Sequence, residues 1–137
     1  MSEGIKDIIK FNSTPENLSI VENYIDKVCV EHNIGPDVYG NILISITEAV
    51  NNAIYHGNGS DENKFVLLRY NIDNGLRKIS FIIEDEGEGF DYDNLPDPTS
   101  PDNLATIGGR GVFLIKQLAD WVIFNDQGNI IELQFKY

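Results

Sequence analysis

Glu48 and Asn52 stand one helical turn apart in a run that is otherwise almost wholly apolar (Val38, Ile42, Leu43, Ile44, Ile46, Ala49, Val50, Ala53, Ile54). The polar residues of this run, Asn41, Ser45, Glu48, Asn52 and His56, recur at steps of four, three, four and four. Such steps return to one face of a helix. A stripe facing water usually carries several Lys, Arg and Glu. This one has a single charge and four compact hydrogen-bonding groups, which suits a pocket wall where each group must find a partner. From the pattern alone a solvated stripe remains the other reading. The side-chain carbonyl of Asn52 is a hard oxygen ligand of the kind Mg²⁺ accepts while keeping several waters and taking phosphate oxygens for the rest. The Glu48 carboxylate is placed to accept a proton from a hydroxyl or a water. His56 closes the stripe at the helix end, where a histidine also commonly bonds the helix terminus.

Two glycine boxes follow. Glu84-Asp85-Glu86-Gly87-Glu88-Gly89-Phe90 comes directly after the apolar run 79–83. A carboxylate at a strand end, here Asp85, can accept a hydrogen bond from an exocyclic amine such as that of adenine. Gly87 and Gly89 remove side chains where a flat ring would approach the backbone, although paired glycines also mark simple turns. The second box, Gly108-Gly109-Arg110-Gly111, leads into Val112, Phe113, Leu114, Ile115 and Leu118. A glycine-rich turn opening a helix offers free N–H groups and the positive end of the helix dipole to an anion. Arg110 adds a forked donor suited to phosphate. No Gly-Lys-Ser/Thr follows, so this is not a Walker A loop, and no strand leads into it as a Rossmann fingerprint requires.

The elements that must position these residues can be read from periodicity and punctuation. Residues 5–11 read as a strand. Ser13, Thr14 and Pro15 supply a cap hydroxyl and a proline for a helix over 15–32, whose apolar face is Leu18, Val21, Ile25 and Val28. Gly35-Pro36 breaks it and a second helix runs over 36–56, ended by Gly57, Asn58 and Gly59. Strands at 64–72 and 76–85 are joined by Asp73-Asn74-Gly75, a strong hairpin signal. The segment 91–107, with three prolines and four aspartates, is long for a connection in a compact domain, and such loops are often lids. A helix from the second glycine box to about 120 and strands at 121–126 and 129–136 complete the chain. Short turns between neighbouring strands imply a mixed, largely antiparallel sheet with helices on one face. The expected fold is an α/β (α+β) two-layer sandwich, as one domain over 1–137.

A chain of 137 residues fits one domain with a proper core. The net charge of −12 disfavours nucleic acid and anionic membrane as partners. The single cysteine excludes an internal disulfide and points to the cytoplasm. No signal peptide or membrane-length apolar run is evident. Cys29, beside Val28 and Val30, reads as a packed core thiol.

Taken together, the segments ITEAVNNAIYHGN (46–58), EDEGEGFD (84–91), DPTSPDNL (97–104) and GGRGVFLIKQLAD (108–120) resemble the GHKL superfamily of histidine-kinase-like ATPases. Within it the sequence is most similar to the anti-sigma-factor serine-protein kinases of bacterial partner-switching systems. The resemblance implies a Bergerat-type ATP-binding fold with Mg²⁺ and ATP as cofactors. By it, Glu48 is the catalytic base, Asn52 the Mg²⁺ ligand, and Asp85 the acceptor for the adenine amine, with Gly87 and Gly89 beside the ring. Gly109, Arg110 and Gly111 hold phosphates, His56 and Val112 count with the nucleotide-binding residues, and 91–107 is the ATP lid. It implies a STAS-type anti-anti-sigma protein phosphorylated on Ser or Thr, a sigma factor bound and silenced, and a homodimer. Many members carry Gly-Thr before the last strand where this chain has Gly128-Asn129. An ATP-gated anti-sigma or regulatory binding module without significant kinase activity is the alternative. A detached histidine-kinase ATPase domain is a further one, although no helical hairpin with a phosphoacceptor histidine accompanies it.

Overall fold

The computed structural model describes residues 6–87, 107–125 and 127–137, with side chains over 8–87, 112–125 and 127–137. The order is β1 (Lys6–Asn12), α1 (Leu18–Glu31), α2 (Pro36–Asn52), β2 (Phe65–Asp73), β3 (Lys78–Glu84), α3 (Ile107–Leu118), β4 (Trp121–Phe124) and β5 (Ile130–Lys136). The strands form one sheet in the order β1-β2-β3-β5-β4. Every ladder among the described residues is antiparallel, so the sheet is antiparallel rather than mixed. The rest of the expected α+β sandwich stands.

The pleat explains the two layers. Along β2, Val66, Leu68, Tyr70 and Ile72 are buried while their neighbours are half-buried, the period of two that puts alternate side chains on opposite faces. Ile79, Phe81 and Ile83 of β3 and Ile131, Leu133 and Phe135 of β5 continue that inner face. They share one core with Val21, Ile25 and Val28 of α1, Ile42, Ile46, Ala49 and Val50 of α2, and Ile115 of α3. Each fully buried aliphatic or aromatic side chain here contributes about 1.5–3 kcal/mol. The central strand β3 is also covered on its outer side, where Ser80 and Ile82 are buried. They lie between Arg69 and Asn71 of β2 and Glu132 and Gln134 of β5.

Cys29 is buried, and its thiol is pushed up to about 11 by that burial, with the charge of Asp26 adding to the effect. It carries almost no thiolate at neutral pH and is the packed residue its neighbours suggested.

Three local features depart from the expectations. The first helix opens with a short 3-10 turn, Pro15–Asn17, and Thr14 at its N-cap makes no side-chain cap bond. Ser13 is buried, and its hydroxyl donates to Lys64 O at 2.8 Å. The β2–β3 hairpin turns through four residues, 74–77, with Asp73 paired to Lys78. Its left-handed residue is Arg77 (φ 51), not Gly75, and Asp73 Oδ1 accepts from Leu76 N at 3.0 Å. The helix α2 does not simply stop near residue 56: it widens into a π-helical turn over Ala53–Gly57. The amide of Asn58 donates to Ala53 O at 2.8 Å, the i→i+5 bond of that turn. Single π turns of this kind occur frequently at functional sites.

Candidate functional site

Asp85 leaves the end of β3 at the centre of the sheet, beside the start of β5. Its backbone N–H donates to Asn129 O at 3.0 Å, and Asn129 Nδ2 donates back to Asp85 O at 3.3 Å. These bonds extend the β3–β5 ladder past the strand ends and fix where the carboxylate stands. Asp85 Oδ1 accepts the N–H of Gly87 at 2.7 Å, the short Asx turn that an aspartate readily forms two residues ahead. Asn129 thus does its work on the Asp85 backbone, and it also accepts from Asn125 Nδ2 at 2.7 Å.

The end of the α2 helical run presses on this carboxylate. A Cβ placed on Gly57 would fall 2.6 Å from Asp85 Oδ1, and closer still to the other atoms of the carboxylate. One placed on Gly87 would lie 2.6 Å from the carbonyl carbon of Gly57 and 2.9 Å from Asp85 Oδ1. Real Cβ atoms essentially never show such distances, so Gly87 needs glycine against the Gly57 backbone, and a side chain at Gly57 would have to displace the Asp85 carboxylate. Gly87 thus has a reason within the fold itself: a side chain there is excluded by the backbone of Gly57. Burial holds the Asp85 carboxyl above the usual carboxylate range; the Gly87 N–H opposes that, the Glu84 charge reinforces it and Lys64 opposes it.

The polar stripe of α2 is not uniform. Glu48 and Asn52 are half-buried, Ser45 is fully buried, and Asn41 and His56 at its two ends are exposed. Ser45 Oγ has no hydrogen-bond partner among the described residues. A helix-long exposed face is therefore ruled out at its middle. His56 lies inside the π turn, so the α-helical step from Asn52 no longer describes its direction.

Helix α3 packs on α2 and on β4. The Gly108–Gly111 box lies within the helix, in its first turn, and Ile107 precedes it as the first helical residue. Val112 is buried at 3% exposure, so only its backbone is available to a phosphate. Gly89, the side chain of Arg110, and the expected lid up to residue 106 lie outside the described residues, and no side-chain geometry is described at Gly109 or Gly111.

Four residues that sequence reasoning left aside belong to the site. Gly57 had been read only as a helix stop. Ser13, Asn58 and Glu86 join it through bonds spanning 28 to 51 residues, and no local pattern signals contacts at that separation.

A five-stranded antiparallel sheet with helices on one face, and an acidic strand end locked against the end of a polar-striped helix, define the class. A family model for the histidine kinase-like ATPase domain matches residues 11–135, and the chain belongs to that family. Among characterised proteins it is similar to the serine-protein kinase RsbW of Bacillus subtilis (strain 168), at 26% identity over 136 residues, covering 94% of this chain and 83% of that protein. It is 24% identical to the serine-protein kinase RsbW of Oceanobacillus iheyensis over 135 residues, 94% of this chain and 84% of that protein. The protein of the same name from Staphylococcus aureus (strain Newman) is 31% identical over 97 residues, 66% of this chain and 60% of its own length.

Proposed function

We propose that the protein is an ATP-dependent serine/threonine protein kinase and anti-sigma factor, which phosphorylates a small STAS-type anti-anti-sigma partner and sequesters a sigma factor. The observation that carries the ATP reading is the interlock of Gly57, Asp85 and Gly87 directly after the helix that bears Glu48 and Asn52. Membership of the ATPase family and the similarity to proteins named serine-protein kinase supply the reaction class.

The residues fit Mg-ATP by their chemistry. Asp85 offers a half-buried carboxylate whose orientation is fixed by the Gly87 N–H, suited to accept from the adenine amine. Among the described residues no group of three or more His, Cys, Asp or Glu side chains is placed to hold a metal. A magnesium ion here would arrive on the phosphates, with Asn52 as one oxygen ligand, and would supply charge neutralisation on the transferring phosphoryl group. Glu48, one turn before Asn52, takes or orients the proton of the attacking hydroxyl. Gly109, Arg110 and Gly111, at the start of α3, bind phosphate through backbone donors and the guanidinium, and 91–107 closes over the nucleotide. Catalysis of this kind is mostly positioning and electrostatics.

The cytoplasm is the proposed compartment and a homodimer the proposed assembly. Among the described residues no helix is long and apolar enough to cross a membrane.

The test is to incubate the protein with radiolabelled ATP, Mg²⁺ and the antagonist encoded nearby. Label on a Ser or Thr of that partner is expected. The Glu48→Gln variant should bind ATP as the parent does and lose transfer by about a hundredfold or more, the typical scale of a general base. Transfer at the parent rate would sink the assignment of Glu48. ATP-dependent capture of the partner without label would instead make the protein a gated binding module.

A further inference from the structure

Asn58, the residue after the π turn, is 2% exposed, yet every hydrogen-bonding capacity that faces the protein is used. Its Nδ2 donates to Ser13 Oγ at 2.7 Å and to Phe65 O at 2.9 Å. Its Oδ1 accepts the N–H of Glu86 at 2.7 Å. The Glu86 carboxylate in turn accepts the N–H of Phe65. One buried amide therefore ties together the end of β1, the end of the α2 helical run, the start of β2 and the acidic turn after β3. An amide has two donors and one acceptor group, and a flip would put oxygen against Phe65 O, so the orientation is set.

We propose that Asn58 is a positioning residue of the nucleotide site, which holds the Asp85-Glu86-Gly87 turn against Gly57 and thereby fixes the direction in which the Asp85 carboxylate meets the base. This rests on the ATP reading above. In this role Asn58 acts through the turn and not on the nucleotide. It anchors residue 86 on one side of the Asp85 carboxylate, while Asn129 anchors the backbone of residue 85 on the other. Released from Asn58, the turn loses the bond that keeps Gly87 N–H under Asp85 Oδ1 and Gly57 beside both.

The experiment compares ATP with inosine triphosphate, which has a carbonyl where adenine has its amine. A correctly aimed Asp85 accepts from the amine and repels the carbonyl, so the parent protein should prefer ATP strongly. Asn58→Ala should weaken ATP binding by about tenfold, the scale of one hydrogen bond to a charged group, and leave inosine triphosphate binding unchanged. Loss of general stability would weaken both nucleotides together, and that result overturns the proposal.

Should Asn58→Ala fail to fold, Ser13→Ala decides. It removes one of the three bonds of Asn58 while Lys64 O keeps its bond from Ser13 N at 3.1 Å. A smaller loss of the same ATP preference supports the role, and an unchanged preference overturns it. Amide exchange at Glu86 in the ligand-free protein is read in parallel and should accelerate in whichever variant folds. If the parent binds no ATP, the nucleotide reading falls. The exchange rate then still decides whether Asn58 holds the turn, and an unaltered rate removes that too.

Discussion

At Asp85 the fold takes a carboxyl partly out of water, while the proposed contact with the adenine amine asks for it ionised. Burial raises its pKa, with the Gly87 N–H and the Lys64 charge opposing the rise and Glu84 adding to it. The sign of the consequence follows. A carboxyl whose folded pKa lies above its unfolded one favours the fold in its protonated form. That contribution is full below the unfolded value and is lost as pH rises through the folded one. Above its folded pKa the ionised Asp85 therefore adds no such stability to the ligand-free protein. Asp85→Asn should leave the ligand-free melting temperature at pH 7 unchanged or higher, and should weaken ATP. The parent should lose ATP affinity as pH falls into the acid range, starting above the ordinary aspartate pKa, and the variant should not share that dependence. Titration calorimetry over a pH series with parallel melts checks both, and a variant that binds ATP like the parent would count against the adenine role. The residue types at this site were legible in the sequence, because acidic and glycine residues at a strand end carry their chemistry in their names. What held them was not, since Asn58, Ser13 and Glu86 act across separations that no window of sequence spans.

The second helical run shows how an element can be identified correctly and still be misread at its end. Apolar periodicity, Pro36 at the first position and the glycines near 57–59 located it within a residue or two. The π turn went unseen because one widened turn alters the apolar spacing too little to register against ordinary scatter. Its end at Gly57 is where two opposed effects can be weighed. In a helix, Gly→Ala gains about 1 kcal/mol from backbone entropy. Overpacking costs typically about 1–3 kcal/mol, and the Cβ of Gly57→Ala would meet the Asp85 carboxylate, which the Gly87 N–H holds in place. The clash should win: Gly57→Ala is expected to destabilise by about 1–2 kcal/mol in urea denaturation and to weaken ATP. Gly40, in the same helix, has nothing within 4 Å of its missing Cβ. Gly40→Ala should stabilise by about 0.5–1 kcal/mol. Equal effects at the two glycines would show that the Asp85 contact carries no weight. The hairpin tells a similar story: Asn74-Gly75 marked its place, but the chain turns on Arg77 because the Asp73 side chain caps Leu76 N.

Across the whole molecule the charge of −12 is spread over a chain with 10 basic and 22 acidic residues. Self-repulsion on this scale destabilises the compact state and is screened by salt. The denaturation midpoint should rise as sodium chloride is raised from low to high ionic strength, and a flat or falling midpoint would mean that specific ion pairs outweigh the net field. Of the architecture, the layer arrangement and the antiparallel bias could be read from strand patterning and short turns. The strand order could not, because the insertion of β5 between β3 and β4 pairs residues such as Ile83 and Ile131 that lie far apart in the chain.

That pairing of β3 with β5 sets Glu84 opposite Ile130, so the chain leaves and re-enters the centre of the sheet at one closed neck. The two sides of the neck are stitched by the full ladder and, one residue beyond it, by the mutual bonds of Asp85 and Asn129. A connection closed at such a neck gains length at little cost to the sheet, since doubling a flexible loop adds only about 0.6 kcal/mol to its closure. Within this one, however, α3 packs on α2 and β4 pairs with β5, and both are held to their lengths. Extra length is therefore cheapest between the neck and α3, outside those packed elements. The neck itself, with Asp85 and Asn129 bonded across it, keeps its place through such changes.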